Sequence, residues 1–342
     1  IEMNTRNILI VGATILAIFT SIASIGYSAL FAEIDLAANS AAPQAPVKIE
    51  IVAGSSVSRV AAELAEAGFL RSPTIFKLMA RVQGVENSIR TGEYELQPGI
   101  TPVQLLDKIV NGESVQYRIT LVEGWTFEQA LQAIWSADNI VPSLDGLSMA
   151  EVSASMNLGR ENPEGLLYPD TYFYTKGTSD IELLLRASEK LNTVLSAAWA
   201  ARLGALPYAD QYEALTMASI IEKESASNSE RGLIAAVFVS RMELGMRLQS
   251  DPTVIYGMGD RYAGNIRRED LSEQTPYNTY RIDGLPPTPI ALSGEESIVA
   301  ALNPEQTDYL YFVAKGDGSH HFSRTLDEHN AAVREYQLQI AN

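Results

Sequence analysis

Carboxylates, hydroxyls and amides are the side chains of this 342-residue sequence that could carry chemistry. The sequence has no cysteine, which excludes disulfides, thiolate nucleophiles and cysteine-ligated zinc. Its three histidines, His320, His321 and His329, lie near the C-terminus, and the adjacent pair has no carboxylate at ligand spacing. Zinc-protease, Walker and serine-hydrolase motifs are absent. We therefore expect no metal and no cofactor, and acid–base chemistry by carboxyl groups.

Two glutamates stand at the end of one predicted helix. On a helical wheel Glu222 shares a face with Leu215, Ala218 and Ser219. Glu224 points about 200° away, toward the side expected to face solvent. A carboxyl on an apolar face keeps its proton to higher pH and can act as a proton donor near neutrality. Glutamates are also common at ordinary frayed helix ends. The neighbouring segments are therefore needed to choose between a catalytic proton donor and an ordinary helix end.

Polar residues in the segments that follow could line a cleft. A second helix is predicted to end near Gly245 and to precede a polar loop that contains Gln249 and Asp251. Further along, Tyr277 and Asn278 precede a proline-rich turn, and stiff loops with polar residues commonly form cleft walls. Each of these residues could instead stabilise its own loop by hydrogen bonds.

An aromatic segment earlier in the chain could hold sugar rings. Tyr168 and Asp170 belong to residues 165–174, which concentrate aromatic side chains around one carboxylate. The same pattern is typical of a buried strand, and alternation of the two faces would allow both roles. Ahead of this segment, Glu123-Gly124-Trp125-Thr126 is predicted to be a strand-to-helix turn, with Thr126 as the N-cap.

Composition limits the class of protein and of partner. Apolar residues make up 46% and charged residues 20% of the chain, which is typical of globular domains. A net charge of −17 argues against nucleic acid or anionic lipid as the main partner, because both are bound through basic patches. Strands and helices mix without a regular βαβ rhythm, so the predicted fold class is α+β.

The N-terminal segment predicts a membrane helix. Ile8–Phe31 contains 24 residues without a charge, enough to cross a bilayer once. A cleaved signal peptide is the alternative, but its apolar region usually spans only ~7–15 residues. Arg6 precedes the segment, which places the bulk of the protein outside the cytoplasm. Ala37–Pro46 is then expected to form a flexible stalk.

Four regions follow from these patterns. We predict a cytoplasmic stub with the membrane anchor over residues 1–32 and a stalk over 33–47. A small β-α-α-β-α module is predicted over 48–115, and its I-x-x-G-x-S-V pattern resembles a LysM module, although such units are often plain spacers. A larger mixed α+β domain is predicted over 116–342.

Seven motifs in fixed order carry a resemblance to one enzyme family. The chain resembles the YceG-like (MltG) endolytic murein transglycosylases, most specifically between Ser219 and Pro287. The motifs, as they stand here, are ASIIEKE, SER, RLQSDPTVIYG, TPYNTY, GLPP-x-PI, YLYFVA and GSHHF…EHN.

The resemblance implies a lyase that cleaves nascent peptidoglycan strands between MurNAc and GlcNAc and leaves 1,6-anhydro-MurNAc ends. It implies a single-pass protein of the bacterial inner membrane, with the catalytic domain in the periplasm, that limits strand elongation alongside peptidoglycan synthases. The catalytic glutamate falls on Glu222, as general acid and then base. Candidate substrate-binding residues are Tyr168, Asp170, Gln249, Asp251, Tyr256, Tyr277, Asn278 and His320.

Two other functions remain open at this point. A glycoside hydrolase could use Glu222 and Asp251 as its two carboxyl groups and would leave a reducing end instead of an anhydro end. A non-catalytic glycan-binding scaffold would keep its cellular role after Glu222→Gln. A membrane-tethered peptidase has no nucleophile or metal motif in its favour.

Overall fold

The structure is a computed structural model that describes residues 5–36, 45–52, 54–225 and 228–338. The chain divides into two compact units, the first formed by Ile1–Tyr117 with Tyr174–Gly177 and the second by the remainder. Elements of the first part of the chain are α1 (Thr5–Phe31), β1 (Val47–Ile51), α2 (Val57–Glu66), α3 (Pro73–Val82), β2 (Gly92–Leu96) and α4 (Pro102–Asn111).

The larger part of the chain continues this mixture of helices and strands. Its elements are β3 (Tyr117–Thr120), α5 (Phe127–Trp135), α6 (Met149–Ser155), β4 (Thr171–Tyr174), α7 (Asp180–Ala200), α8 (Gln211–Glu224), α9 (Arg231–Glu243), α10 (Asp251–Met258), α11 (Glu295–Leu302), β5 (Tyr311–Ala314), β6 (His320–Ser323) and α12 (Leu326–Val333). The named strands pair two by two, as β1–β2, β3–β4 and β5–β6. The predicted α+β class is confirmed.

The first unit has its own apolar core beside a two-stranded sheet. β1 and β2 run antiparallel, with Ile49 opposite Tyr94. Tyr94 is fully buried, and its hydroxyl donates to the carbonyls of Arg90 and Ile109, so no buried polar atom of this ring lacks a partner. The five elements that follow α1 occur in the predicted β-α-α-β-α order.

Helix α1 carries a long apolar surface. Ala13–Phe31 is long and apolar enough to cross a membrane, and none of it is buried within the protein. A membrane anchor and a signal segment both fit this helix. Most of the predicted stalk, residues 37–44, lies outside the described residues. Ile34 and Leu36, which fall within the predicted bounds of 33–47, are buried in the core of the first unit.

Helix α8 is the centre of the second unit. It contacts α7, α9, α10 and α11, and every residue from Ala214 to Glu222 is buried. Asp210 caps its N-terminus by accepting hydrogen bonds from the N–H groups of Tyr212 and Glu213. Near the other end, the Ser219 hydroxyl accepts a hydrogen bond from the Ile290 N–H and so ties α8 to the chain ahead of α11. The helix therefore ends at a fixed place among four other helices.

The prediction that Glu224 faces solvent is wrong. A helical wheel separates a core side from a solvent side only when one side of the helix is exposed, and α8 is surrounded. Glu224 is partly buried and packs against the start of α10, where it accepts a hydrogen bond from Ser250 at 2.6 Å. The predicted polar loop is also shorter than expected, because Asp251 already begins α10.

Candidate active site

The Glu222 carboxyl lies at the end of α8 between an arginine and a backbone N–H. Its Oε1 accepts a hydrogen bond from Arg231 Nη2 at 3.1 Å, and its Oε2 accepts one from the Gly294 N–H at 3.0 Å. Only 5% of the Glu222 side chain and 9% of the Arg231 side chain are exposed. The expectation of apolar surroundings for this carboxyl is therefore wrong, because its immediate partners are ionic and polar.

Arg231 brings two more carboxylates to the same place. It is the first residue of α9, and its Nη1 donates to Glu296 at the start of α11 at 2.5 Å. Its Nη2, which binds Glu222, also lies 3.9 Å from Glu123 Oε2. One buried guanidinium thus faces three glutamates from three separate segments. A planar guanidinium has several N–H donors in fixed directions, so it can bind several carboxylates better than a lysine ammonium can.

The turn that carries Glu123 is anchored against the same segments. The Gly124 N–H donates to the Leu292 carbonyl at 2.9 Å, and the Leu292 N–H donates to the Trp125 carbonyl at 2.7 Å. Lys223 Nζ donates to the Gly124 carbonyl at 3.1 Å. Partial burial, together with the nearby carboxylates of Glu222 and Glu296, raises the pKa of Glu123, although Arg231 opposes this.

Gly294 allows these groups to approach. A Cβ at this position would overlap the carboxyl group of Glu123, so any larger residue would push Glu123 aside. Its N–H meanwhile donates to Glu222, so both carboxyls lie close to this one residue. The glycine is required here for close approach, since its backbone lies in the ordinary extended region with φ −72°.

A second carboxyl centre surrounds Glu224. Burial, with an added contribution from the Asp251 carboxylate, raises the pKa of Glu224 to about 7, against the lowering effect of the Ser250 hydrogen bond. Asp251 accepts a hydrogen bond from the Tyr280 hydroxyl at 2.7 Å. The candidate Asp251 thus lies next to Glu224, while its role in binding sugar stays a prediction.

The exposed candidate Gln249 has an unusual backbone. Its φ is +54°, a left-handed conformation that costs energy for a residue other than glycine. The Gln249 N–H donates to the Thr279 carbonyl, and the next N–H, that of Ser250, donates to the Thr279 hydroxyl. These bonds hold the loop ahead of α10 to the Tyr277–Tyr280 loop.

Tyr256 and Tyr277 form an aromatic pair, with ring centroids 4.8 Å apart. The Tyr256 hydroxyl donates to Glu164 at 3.1 Å, and the Tyr277 hydroxyl shares a hydrogen bond with Thr288. Burial raises the pKa of Glu164 to about 7, despite hydrogen bonds from the N–H groups of Phe127 and Gly165 and from Tyr256. Tyr256 and Glu164 also line a cavity of about 380 Å³.

Asn278 is committed to its own loop. Its side-chain amide donates to the carbonyls of residues 270, 271 and 273, and its Oδ1 accepts from the Tyr280 N–H. The side chain is almost completely buried. This arrangement supports the loop-stabilising reading of Asn278, and a role in binding sugar stays a prediction.

Tyr168 and Asp170 meet on either side of Lys190. The Lys190 ammonium pairs with the Asp170 carboxylate and lies 5.1 Å from the centre of the Tyr168 ring. The Lys190 ammonium is the main cause of a lowered pKa of Asp170. Burial first, and then the carboxylates of Glu295, Asp170 and Glu123, raise the pKa of Tyr168.

His320 is held by the residue that precedes Arg231. Its Nδ1 lies 2.8 Å from Glu230 Oε2, and its backbone N–H also donates to that carboxylate at 3.1 Å. The candidate His320 therefore supports the N-terminal end of α9. Across the described ranges, the side chains of His, Asp and Glu form no group of three or more that could hold a metal ion.

None of the eight tentative substrate-binding residues makes a hydrogen bond to Glu222 in the structure. The side chains that meet Glu222 or its arginine were instead missed by sequence reasoning, namely Glu123, Arg231 and Glu296. Two signals were available for them. Arg231 belongs to the SER motif. Glu123 is the first residue of Glu123-Gly124-Trp125-Thr126, where the N-cap role explains the threonine but gives no reason for the glutamate.

Comparison with known proteins agrees with this arrangement of motifs. The YceG-like family matches residues 49–335 of the chain. The chain belongs to the YceG-like family. A relative from Bacillus subtilis (strain 168), named endolytic murein transglycosylase, is 32% identical over 307 residues, which cover 85% of this chain and 84% of that protein.

Two further relatives support membership of the YceG-like family. A protein of the same name from Streptococcus pneumoniae serotype 2 is 27% identical over 332 residues, covering 85% of this chain and 58% of that longer protein. A crystal structure of a YceG-like protein from Listeria monocytogenes aligns with a TM-score of 0.51 at 32% identity. That alignment covers 84% of this chain and 99% of the Listeria chain.

Proposed function

We propose that this protein is an endolytic lytic transglycosylase that cleaves peptidoglycan glycan strands between MurNAc and GlcNAc. The names of its relatives and its membership of the YceG-like family support the reaction class. The observation that carries the proposal is the Glu222 carboxyl, buried at the end of α8 and oriented by Arg231 and the Gly294 N–H. Fixed donors on both oxygens hold the carboxyl in one orientation, as acid–base catalysis requires.

Glu222 supplies both proton transfers in this proposal. Its protonated carboxyl gives a proton to the glycosidic oxygen as the bond to the MurNAc anomeric carbon breaks, and GlcNAc leaves with a free 4-hydroxyl. The resulting carboxylate removes the proton from the MurNAc 6-hydroxyl, whose oxygen then bonds to the anomeric carbon. The enzyme ends as it began, no water is consumed, and the product has a 1,6-anhydro end. The Arg231 guanidinium and the Gly294 N–H stabilise the carboxylate between the two transfers.

Hydrolysis by Glu222 and Asp251 is the second candidate reaction. An inverting or retaining hydrolase needs two carboxyl groups that face the same bond. In the structure Asp251 binds Tyr280 and lies beside Glu224, whereas Glu222 is bound by Arg231 and Gly294. Mass spectrometry of the cleaved strands separates the reactions, because hydrolysis leaves reducing ends and the proposed reaction leaves anhydro ends.

Glu222→Gln tests the proposal. Gln fills nearly the same volume and its single oxygen can keep the bond from the Gly294 N–H, at the cost of the ion pair with Arg231, but it cannot donate a proton to a leaving oxygen. We expect strand binding and folding to persist while turnover falls by about 10²–10⁴-fold or more. Release of anhydro-ended fragments from uncrosslinked strands is the measurement.

Glu224→Gln is the matched control for this experiment. It makes the same chemical change two residues further along α8 and keeps an acceptor for the Ser250 hydroxyl. We expect a much smaller loss of turnover than in Glu222→Gln. Near-normal release by Glu222→Gln, or a larger defect in a folded Glu224→Gln protein, would overturn the assignment.

The setting of the reaction completes the proposal. We place the protein at the bacterial inner membrane, anchored by α1, with the catalytic part in the periplasm; the apolar surface of α1 supports this. There it would cut nascent strands beside peptidoglycan synthases and so limit their length. The β-α-α-β-α module, by its resemblance to LysM, would hold the strand.

A further inference from the structure

The three carboxylates around Arg231 differ in their access to solvent. The Glu222 side chain is 5% exposed, whereas those of Glu123 and Glu296 are 53% and 59% exposed. One guanidinium cannot neutralise three ionised carboxylates, so each carboxylate affects how strongly the other two are held. The cluster therefore has an inner ion pair and two outer carboxylates that solvent, or a bound strand, can reach.

Two of these carboxylates contact the same nitrogen of Arg231. Nη2 lies 3.1 Å from Glu222 Oε1 and 3.9 Å from Glu123 Oε2, whereas Glu296 pairs with Nη1. Glu123 therefore competes with Glu222 directly for Nη2. Glu296 affects Glu222 only through the shared charge of the guanidinium. Another nearby cation is the Lys223 ammonium, which donates to the Gly124 carbonyl.

The proposed reaction makes opposite demands on this ion pair. Contact with Arg231 favours the ionised form of Glu222, but the first step requires Glu222 to carry a proton. The second step requires the carboxylate again. A group that draws Arg231 Nη2 away from Glu222 would favour the protonated form needed for the first step.

We propose that Glu123 is a positioning residue that acts on Glu222 through Arg231. Its carboxylate attracts Nη2 and so leaves Glu222 able to hold the proton that it donates to the glycosidic oxygen. The inference rests on the proposed function, because it assigns the acid to Glu222. The hydrogen bonds between the Glu123 turn and Leu292, and the close approach to Gly294, keep the Glu123 carboxyl within reach of the guanidinium.

The test is the pH dependence of strand cleavage by Glu123→Gln. Without the competing negative charge, Arg231 stays on Glu222, which then loses its proton at lower pH. We expect the alkaline limb of the kcat/KM profile to move down by about one pH unit, so that activity on that limb falls roughly tenfold. On the acid side of the optimum we expect activity close to that of the unchanged protein.

Two variants control for the loss of charge. Glu123→Asp keeps a carboxylate on the same turn, and we expect it to restore most of the profile. Glu128→Gln removes one negative charge from the exposed first turn of α5, and we expect it to leave the profile unchanged. An unmoved limb in Glu123→Gln, an equal shift in Glu128→Gln, or a loss of equal size at every pH would overturn the inference.

A second variant covers the case in which Glu123→Gln does not fold. Gly294→Ala places a methyl group where the Glu123 carboxyl now lies and changes no charge. We expect its alkaline limb to move in the same direction as that of Glu123→Gln. A folded Gly294→Ala protein with an unmoved limb would also overturn the inference.

Failure of the inference is distinct from failure of the proposed function. The pH profiles measure total strand cleavage and do not depend on the type of end produced. They therefore test the role of Glu123 even if the reaction is a hydrolysis. Product analysis of the unchanged protein tests the anhydro end alone. If the unchanged protein cleaves nothing, the proposed function fails. A 13C NMR titration of glutamate carboxyls then tests whether Glu123 affects the ionisation of Glu222. An unmoved Glu222 titration in Glu123→Gln would then overturn it.

Discussion

Glu222 and Glu224 stand two residues apart on α8 and have opposite electrostatic surroundings. Glu222 is paired with a buried guanidinium, whereas the Glu224 carboxyl accepts a hydrogen bond from the neutral Ser250 hydroxyl and lies near the Asp251 carboxylate. The sequence distinguished the two by a helical wheel and favoured Glu222, which is the residue that the family resemblance also indicates. The reason for that choice, an apolar environment for the Glu222 carboxyl, is wrong. A helical wheel shows only the residues of one helix and cannot reveal that α9 brings an arginine to this carboxyl.

The raised pKa of Glu224 makes a prediction about stability. Its pKa rises from the ordinary 4.5 to about 7 in the folded protein, so the fold holds this proton more tightly than the unfolded chain does. The resulting stabilisation is complete below about pH 4.5 and is lost as pH rises through about 7. Glutamine does not titrate. The free energy of unfolding of Glu224→Gln, relative to that of the unchanged protein, should therefore rise by about 1–3 kcal/mol as the pH increases from 4.5 to 8.

Urea denaturation at several pH values measures this gain. Titrating residues that do not interact with Glu224, such as Glu164 with its own raised pKa, are present in both proteins and cancel in the difference. A difference in the free energy of unfolding that stays constant from pH 4.5 to pH 8 would contradict the prediction.

At the scale of elements, local sequence signals predicted most of the helices. Thr126 caps α5 through a capping box with Gln129, which confirms it as the predicted N-cap. The pattern around Asp251-Pro252 predicts a loop, whereas α10 begins there, in keeping with the preference for proline in the first turn of a helix. What could not be predicted is tertiary: contacts such as those of Glu123 and Glu296 with Arg231 join segments more than sixty residues apart.

Gly165 makes a prediction about how two such segments are held together. Its φ is +75°, and a Cβ there would overlap Pro289, which belongs to the proline-rich turn. Gly165→Ala should therefore suffer both backbone strain of about 1–2 kcal/mol and a steric conflict of about 1–3 kcal/mol.

Gly146→Ala is the control, since Gly146 has a similar φ of +79° with no atom within 4 Å of the added Cβ. It should show the strain alone. Urea midpoints of the two variants provide the measurement, and equal midpoints would mean that the chain near Pro289 moves away without cost.

At the scale of the whole molecule, the surface of α1 makes a prediction about location. Ala13–Phe31 is apolar and unburied, as expected for a helix that meets lipid. If the segment is an uncleaved anchor, the full-length protein should stay in the membrane fraction after a high-salt wash, because the hydrophobic contact with lipid is not weakened by salt. Release of a mature fragment that begins near Ala41 would show instead that the segment is a signal peptide.

The division of the Arg231 cluster into an inner pair and two outer carboxylates has a consequence for the medium around the protein. Dissolved ions screen exposed charges well and buried ones poorly, over a Debye length of about 8 Å at physiological ionic strength. Added salt should thus weaken the pull of Glu123 and Glu296 on Arg231 while leaving its contact with Glu222 nearly intact. Ionic strength would then act on the proposed active site in the same direction as neutralising Glu123, so the cluster gives the protein a built-in response to the salt around it.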